Sequence, residues 1–182
     1  MYLCIDIQFF HCMKRLIVLL LLSVVFFASN AANRQREEIC SGDTLPDFSI
    51  KSNDGRTITS NELRGKPCML VFFHTQCWDC KRELPILQEI YHVYADQIDI
   101  LCISRGEGAS SVSAFWEKNG LTLPYSAQED KTVFKLFARK TIPRIYLCDE
   151  SGVVRKVFVE KVKQRKLRRS IEKIVNNKKI NN

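Results

Sequence analysis

A chain of 182 residues is long enough to bury one substantial core and suits a single domain with a short appendage. Its formal charge of +8 is local: from Arg155 to Asn182 eleven Lys or Arg stand against Glu160 and Glu172, which leaves −1 for everything before Arg155. Basicity confined to a tail does not point to nucleic acid as a partner, and the sequence holds no repeat and no low-complexity stretch.

The first segment stands apart from the globular part. In "MKRLIVLLLLSVVFFASNAAN" the basic pair Lys14 and Arg15 precedes an apolar run from Leu16 to Phe27 broken only by Ser23, and Ser29 and Ala31 are placed for cleavage after Ala31. We read residues 1–31 as a signal peptide, with an uncleaved membrane anchor as the alternative and Met13 as an alternative start. The chain is therefore expected in the periplasm or cell envelope, with membrane association through this segment in the anchored case. Residues 32–41 read as a linker and 42–182 as the domain.

A first strand is expected near Phe48, followed by a hairpin turned at Asp54 and Gly55. "CMLVFF" at 68–73 is a continuous apolar run of strand length and reads as the central strand, covered on both faces. From Cys80 to Asp96 the residues Leu84, Leu87, Ile90, Tyr91 and Tyr94 recur at helical spacing, with Pro85 expected to kink the helix. "IDILCIS" at 98–104 is the next buried strand, and 110–120 a helix ended by Gly120. A helix over 130–140 capped by Asp130 follows, then two strands joined by a turn at Glu150, Ser151 and Gly152. The basic tail closes the chain as an amphipathic helix with Leu167, Ile171, Ile174 and Val175 on its inner face. Its cationic face reads as solvated, the sharper alternative being attraction to anionic lipid or an acidic partner. These elements make an α/β fold, a central mixed β-sheet flanked by helices with an N-terminal β-hairpin extension.

Eight cysteines matter more in an exported chain, where disulfides persist. Cys102 and Cys148 lie inside apolar strand runs and are expected to be small buried hydrophobes. Cys40 and Cys68 could pair with each other or with nothing, since sequence does not fix connectivity. Only Cys77 and Cys80, in "FFHTQCWDCKREL", have a recognised spacing. A structural zinc site would need a second close-spaced ligand pair, and past the signal the histidines are only His74 and His92. Covalent haem attachment needs histidine where Lys81 stands. Redox exchange needs one reachable thiolate and a second thiol close by, and a CxxC at a strand-to-helix junction meets that need without metal or cofactor. The helix N-terminus would stabilise a Cys77 thiolate, with Cys80 the sheltered resolving thiol.

Three stretches, "GDTLPDFSI", "LRGKPCMLVFFHTQCWDCKRELPIL" and "TIPRIYLCDESGVV", resemble the thioredoxin fold and, within it, the exported TlpA/ResA-like thiol-disulfide oxidoreductases over roughly residues 42–160. The resemblance implies a thioredoxin-like fold, Cys77 as nucleophile, Cys80 as resolving cysteine, and Pro143 as a cis-proline facing them across the sheet. It matches Glu83 to a glutamate that reducing members carry, with a role in cysteine ionisation and proton transfer. A cis bond costs little only before proline, and such a turn would leave the Ile142 backbone free to pair with an extended substrate; a trans proline at a strand start is the alternative. Trp78 is expected to be an exposed apolar substrate contact.

Gln76 and Asp79 depart from the tryptophan and proline common in the family. A carboxylate at Asp79 should oppose the Cys77 thiolate and stabilise the disulfide, biasing the couple toward a reductant. Arg144 replaces a small polar residue and could oppose that bias or select acidic substrates. The expected function is reduction of a disulfide-containing envelope protein, with an upstream electron donor to restore the dithiol. Two alternatives share the fold. A peroxiredoxin would want proline and threonine where Leu70 and His74 stand, and a copper(I) chaperone usually has three residues between its cysteines.

Overall fold

The computed structural model describes residues 38–180, with side chains as far as Asn176. The signal or anchor segment and residues 32–37 of the linker lie outside the described residues. The linker's remaining residues are tied to the domain: the Ile39 N–H donates to the Phe137 carbonyl at 2.8 Å, and the Gly42 N–H to the Val154 carbonyl at 2.8 Å.

A two-stranded antiparallel ribbon comes first, β1 (Ser49–Lys51) and β2 (Thr57–Thr59). Its turn closes where expected. Gly55 takes φ +85, which glycine alone adopts freely, and Asp54 accepts from the Arg56 backbone at 3.1 Å and side chain at 2.6 Å. The ribbon has a second use. Asn53 exchanges hydrogen bonds with the Tyr125 backbone (2.8 and 3.0 Å), covering the edge strand β5 (Tyr125–Ser126) of the main sheet.

The main sheet has the order β5-β4-β3-β6-β7. β3 (Cys68–Phe73) is central and every side chain in it is buried, as a continuous apolar run should be. Helix α1 (Trp78–Tyr94) carries the chain back to β4 (Asp99–Ser104), parallel to β3. α1 buries Leu84, Leu87, Ile90 and Tyr94, and runs through Pro85 as one 17-residue helix. Helix α2 (Ala109–Lys118) ends before Gly120 at φ +60, and leads to β5, parallel to β4. β6 (Arg144–Cys148) returns antiparallel to β3 and pairs on its other side with β7 (Val154–Val159), the turn using Gly152 at φ +77. Helix α4 (Gln164–Ile180) lays Leu167, Ile171 and Val175 on the core and keeps Lys166, Arg169 and Lys173 in water.

Two elements differ from expectation. The helix over 130–140 is only the six residues of α3 (Thr132–Phe137), and Asp130 accepts from the Thr132 N–H at 2.6 Å although Lys131 holds the cap position. α3 stops early because the Phe137 carbonyl is taken by the Ile39 N–H and by the Tyr146 hydroxyl at 3.1 Å, and Ala138 turns extended. β5 has only two residues, too few to show any periodicity.

Candidate active site

β3 and β4 run in parallel and end side by side at Phe73 and Ser104, so the loops that follow them meet at one end of the sheet. The first loop holds the cysteines. His74, Thr75 and Gln76 turn the chain, closed by the Cys77 N–H donating to the His74 carbonyl at 3.0 Å. Cys77 is then the N-cap of α1, with extended dihedrals (φ −76, ψ 122). Its sulfur does what a serine or aspartate oxygen does elsewhere, accepting from the Cys80 N–H at 3.4 Å. Unpaired N–H groups and the positive end of the helix therefore face any charge on this sulfur.

The two thiols differ in access. Cys77 is half-buried, whereas Cys80 is 0% exposed. Burial, and then the Cys77 thiol, push the Cys80 thiol well above the ordinary cysteine range, against a smaller opposite pull from the His74 backbone and Arg105. At neutral pH Cys80 is a protonated thiol held in reserve.

Across the gap stands β6. The Ile142–Pro143 peptide bond is cis, and the Cys77 thiol donates to the Ile142 carbonyl at 3.6 Å. Thr141, just ahead, has φ +71, an uncommon conformation for a β-branched residue. Both halves of the site thus come from neighbouring strands, with Arg144 in register with Phe72. Beside Cys77, Trp78 is 78% exposed among the described residues and presents a large apolar surface.

Charge near the cysteines is more balanced than the sequence suggests. Asp79 is paired with Arg82 at 2.7 Å, so part of its opposition to a Cys77 thiolate is cancelled. Glu83 is 3% exposed and accepts from the same Arg82 at 3.3 Å. Arg144 stands apart from the expected substrate contact. It is 6% exposed, and its guanidinium is taken by Glu38 at 3.0 Å and by the Lys140 carbonyl at 3.4 Å. It ties the N-terminal segment to the strand behind Pro143 and offers no free charge at the surface.

Sequence reasoning missed the second loop. Glu107, 9% exposed, accepts from the Thr75 N–H at 2.7 Å and from the Thr75 hydroxyl, and its carboxylate lies 3.6 Å from His74 Nδ1. The same Nδ1 accepts from the Gln76 N–H at 3.1 Å. Arg105 donates its N–H to the Phe73 carbonyl at 2.8 Å, and its guanidinium lies 5.5 Å from the centre of the Phe134 ring. Gly106 at φ +74 lets this loop pass close to Asp130, whose backbone a Cβ would meet at 3.1 Å. The available signal was "SRGEG", two glycines directly after a buried parallel strand, where functional loops gather.

The remaining cysteines are distributed as follows. Cys102 and Cys148 are buried, as expected. Cys40 is exposed, and Cys68 is buried opposite Cys148. A cleft of about 760 Å³ lined by Pro67, Glu150, Arg155, Lys166 and Lys173 shares no residue with the thiol site.

Residues 41–157 match the model of the AhpC/TSA family. The chain is 30% identical over 164 residues to the thiol-disulfide oxidoreductase ResA of Geobacillus thermodenitrificans (strain NG80-2), covering 89% of this chain and 94% of the relative. It is 27% identical over 143 residues to the ResA of Bacillus subtilis (strain 168), covering 78% and 80%. Among solved structures, a candidate protein disulfide isomerase from Bacteroides thetaiotaomicron superposes with a TM-score of 0.70 at 27% identity, covering 76% of this chain and 91% of that one.

Proposed function

The chain belongs to the AhpC/TSA family and is a ResA-like thiol-disulfide oxidoreductase of thioredoxin fold, and from that premise we propose that it reduces disulfides in exported proteins. One observation carries the reading: a reachable Cys77 at a helix N-terminus, backed by a fully buried Cys80, with the Ile142 carbonyl opposite.

In this mechanism Trp78 and the Ile142 backbone seat an extended substrate segment beside Cys77. The Cys77 thiolate attacks one sulfur of the substrate disulfide, that bond breaks, and the other sulfur leaves as a thiolate and takes a proton. Cys80 gives up its proton and attacks Cys77 Sγ in the mixed disulfide. The second substrate sulfur is released, and the Cys77–Cys80 disulfide remains. In this reading Glu83, buried in the first turns of α1 three residues beyond Cys80, moves the Cys80 proton. Two electrons and two protons from a dithiol donor restore the starting state.

The reducing direction draws support from two carboxylates, Asp79 and Glu83, in the first turns behind Cys77, with Arg82 as the compensating cation. Export draws support from the layout of residues 13–31. The peroxidase alternative would want a proline where Leu70 stands, fully buried in the middle of β3.

The test is the reduction potential of the Cys77–Cys80 couple, equilibrated against dithiothreitol, with Cys77→Ser and Cys80→Ser as controls. A value near or below about −270 mV, that of thioredoxin, fits a reductase. A value near about −120 mV, that of strong periplasmic oxidants, would make the protein a disulfide donor and overturn the proposed direction.

A further inference from the structure

A second pair of thiols lies at the opposite end of the central ladder. Cys68 opens β3, Cys148 closes β6, and the antiparallel register sets them directly opposite each other. Their exposures are 1% and 0%. Opposed residues on adjacent antiparallel strands point to the same face of the sheet, with Cβ atoms about 4.5–5.5 Å apart. A disulfide asks for Cβ atoms about 3.5–4.5 Å apart. The gap to be closed is therefore small.

We propose that Cys68 and Cys148 form a second, structural disulfide that staples β3 to β6 when the protein is oxidised. Other partners fit poorly. Cys102 is in register with Val71, an odd number of residues from Cys68, so its side chain belongs to the other face of the sheet. Cys40 is exposed in the N-terminal segment and hydrogen-bonds locally, through its N–H to Asp43 and its thiol to the Glu38 carbonyl. At Cys148 the β6–β7 register shifts, an irregularity that loosens one side of this residue's pairing and gives it room to approach Cys68.

The free-thiol state also reports the proximity of the pair. Cys148 as hydrogen-bond partner, and then burial, hold the Cys68 thiol far above the ordinary cysteine range. A thiol so reluctant to ionise exchanges slowly, so the bond forms while the chain folds or opens locally and then persists. One cysteine thiolate attacks the disulfide of an oxidant, glutathione disulfide or the disulfide of a folding oxidase, and expels one thiol. The other cysteine thiolate then displaces the second. Two electrons and the two cysteine protons pass to the oxidant, which leaves as two thiols.

The position gives the staple a purpose. β3 runs from Cys68 to the loop that holds Cys77, and β6 runs from the residue after Pro143 to Cys148. A bond at the far ends of both strands fixes the ladder on which the two halves of the active site face each other. The catalytic couple can cycle while the staple stays closed, and the inference stands whichever direction Cys77 and Cys80 work in.

The experiment uses the full chain carrying Cys77→Ser and Cys80→Ser. It is refolded from denaturant in a buffer of reduced and oxidised glutathione, quenched with acid, alkylated under denaturing conditions and digested without reductant. The expected product is one peptide pair joined through Cys68 and Cys148, with Cys102 alkylated. Its urea midpoint should fall on adding dithiothreitol, and not in a protein that also carries Cys68→Val. Recovery of Cys68 and Cys148 both alkylated, under a buffer that fully oxidises Cys77 and Cys80 in the parent, would overturn the inference. So would Cys68 joined to Cys40.

Discussion

Glu107 offers the sharpest check on how the thiol loop is held. Its carboxylate accepts two hydrogen bonds from Thr75, one from the N–H at 2.7 Å and one from the hydroxyl, and Thr75 is 4% exposed. Hydrogen bonds to a charged group contribute about 1.5–3 kcal/mol each, and a buried donor left without a partner carries its full desolvation cost. Glu107→Ala removes both and should therefore cost about 3 kcal/mol, or about 6–12 °C in melting temperature for a chain of this size. Glu107→Gln keeps one acceptor for the N–H while its amide can donate to the Thr75 hydroxyl, so only the charge assistance is lost, about 1 kcal/mol. The assay is urea unfolding of the reduced protein alongside the rate of thiol exchange with a model disulfide. Exchange should slow in the same order, because the turn over residues 74–76 presents Cys77. If Glu107→Ala unfolds within about 0.5 kcal/mol of the parent, the carboxylate does not hold the loop and the reasoning fails.

Three more outcomes follow from the same geometry. The folded state raises the Cys80 pKa above the ordinary 9.0, so its contribution to stability is complete below about pH 9 and is lost as pH rises beyond it. Urea midpoints of the dithiol form should therefore fall from pH 8 to pH 10, and less steeply in Cys80→Ser. Trp78→Ala should leave unfolding stability within about 0.5 kcal/mol of the parent while raising the KM for a protein substrate, since the side chain is 78% exposed. An unchanged KM would remove it from the substrate surface. Glu38→Gln should lower stability by about 1 kcal/mol without altering preference between acidic and neutral peptides, because Arg144 is occupied inside the fold; a gain for acidic peptides would show that Arg144 can be released to substrate.

What the sequence revealed depended on how far each residue's partner lies along the chain. β3, α1, β4 and the β6–β7 hairpin are written in local periodicity, so "CMLVFF" and the Leu84, Leu87, Ile90 spacing were legible at once. Cys77 and Cys80 were legible for the same reason, three residues apart on one turn. Glu107 was not, because it meets Thr75 across 32 residues. Arg144 is expected to act on the Asp79 bias or on acidic substrates, but its partner, Glu38, is 106 residues upstream in a segment that reads as linker. The expected helix over 130–140 is longer than α3 because the stop signal is tertiary, a carbonyl claimed by Ile39 and Tyr146. Asp79 misled in part because a pattern of residue types shows a carboxylate between two cysteines but not the rotamer that brings Arg82 against it.

The distance between Cys77 and the Ile142 carbonyl is set by packing as much as by the cysteines themselves. The segment 138–143 that delivers Pro143 is held at both ends by one aromatic cluster: Phe137 at the close of α3 lies 4.8 Å from Phe72 and 5.1 Å from Tyr146, ring centre to ring centre. Phe72 belongs to β3, two residues before the thiol loop, and Tyr146 to β6, three residues after Pro143. The Tyr146 hydroxyl, its pKa pushed up to about 12 by burial, stays protonated and donates to the Phe137 carbonyl at 3.1 Å. Offset and tilted rings in such contacts contribute about 0.5–1.5 kcal/mol per pair beyond their buried area, and a packed core has discrete rather than graded alternatives. A truncation in this cluster would therefore act on catalysis through the width of the gap, lowering exchange while leaving both sulfurs and their helix end chemically unchanged. The working geometry of the CxxC pair is in this sense a property of the β3–β6 ladder, which explains why a staple at its far end, between Cys68 and Cys148, would reach the active site without touching it.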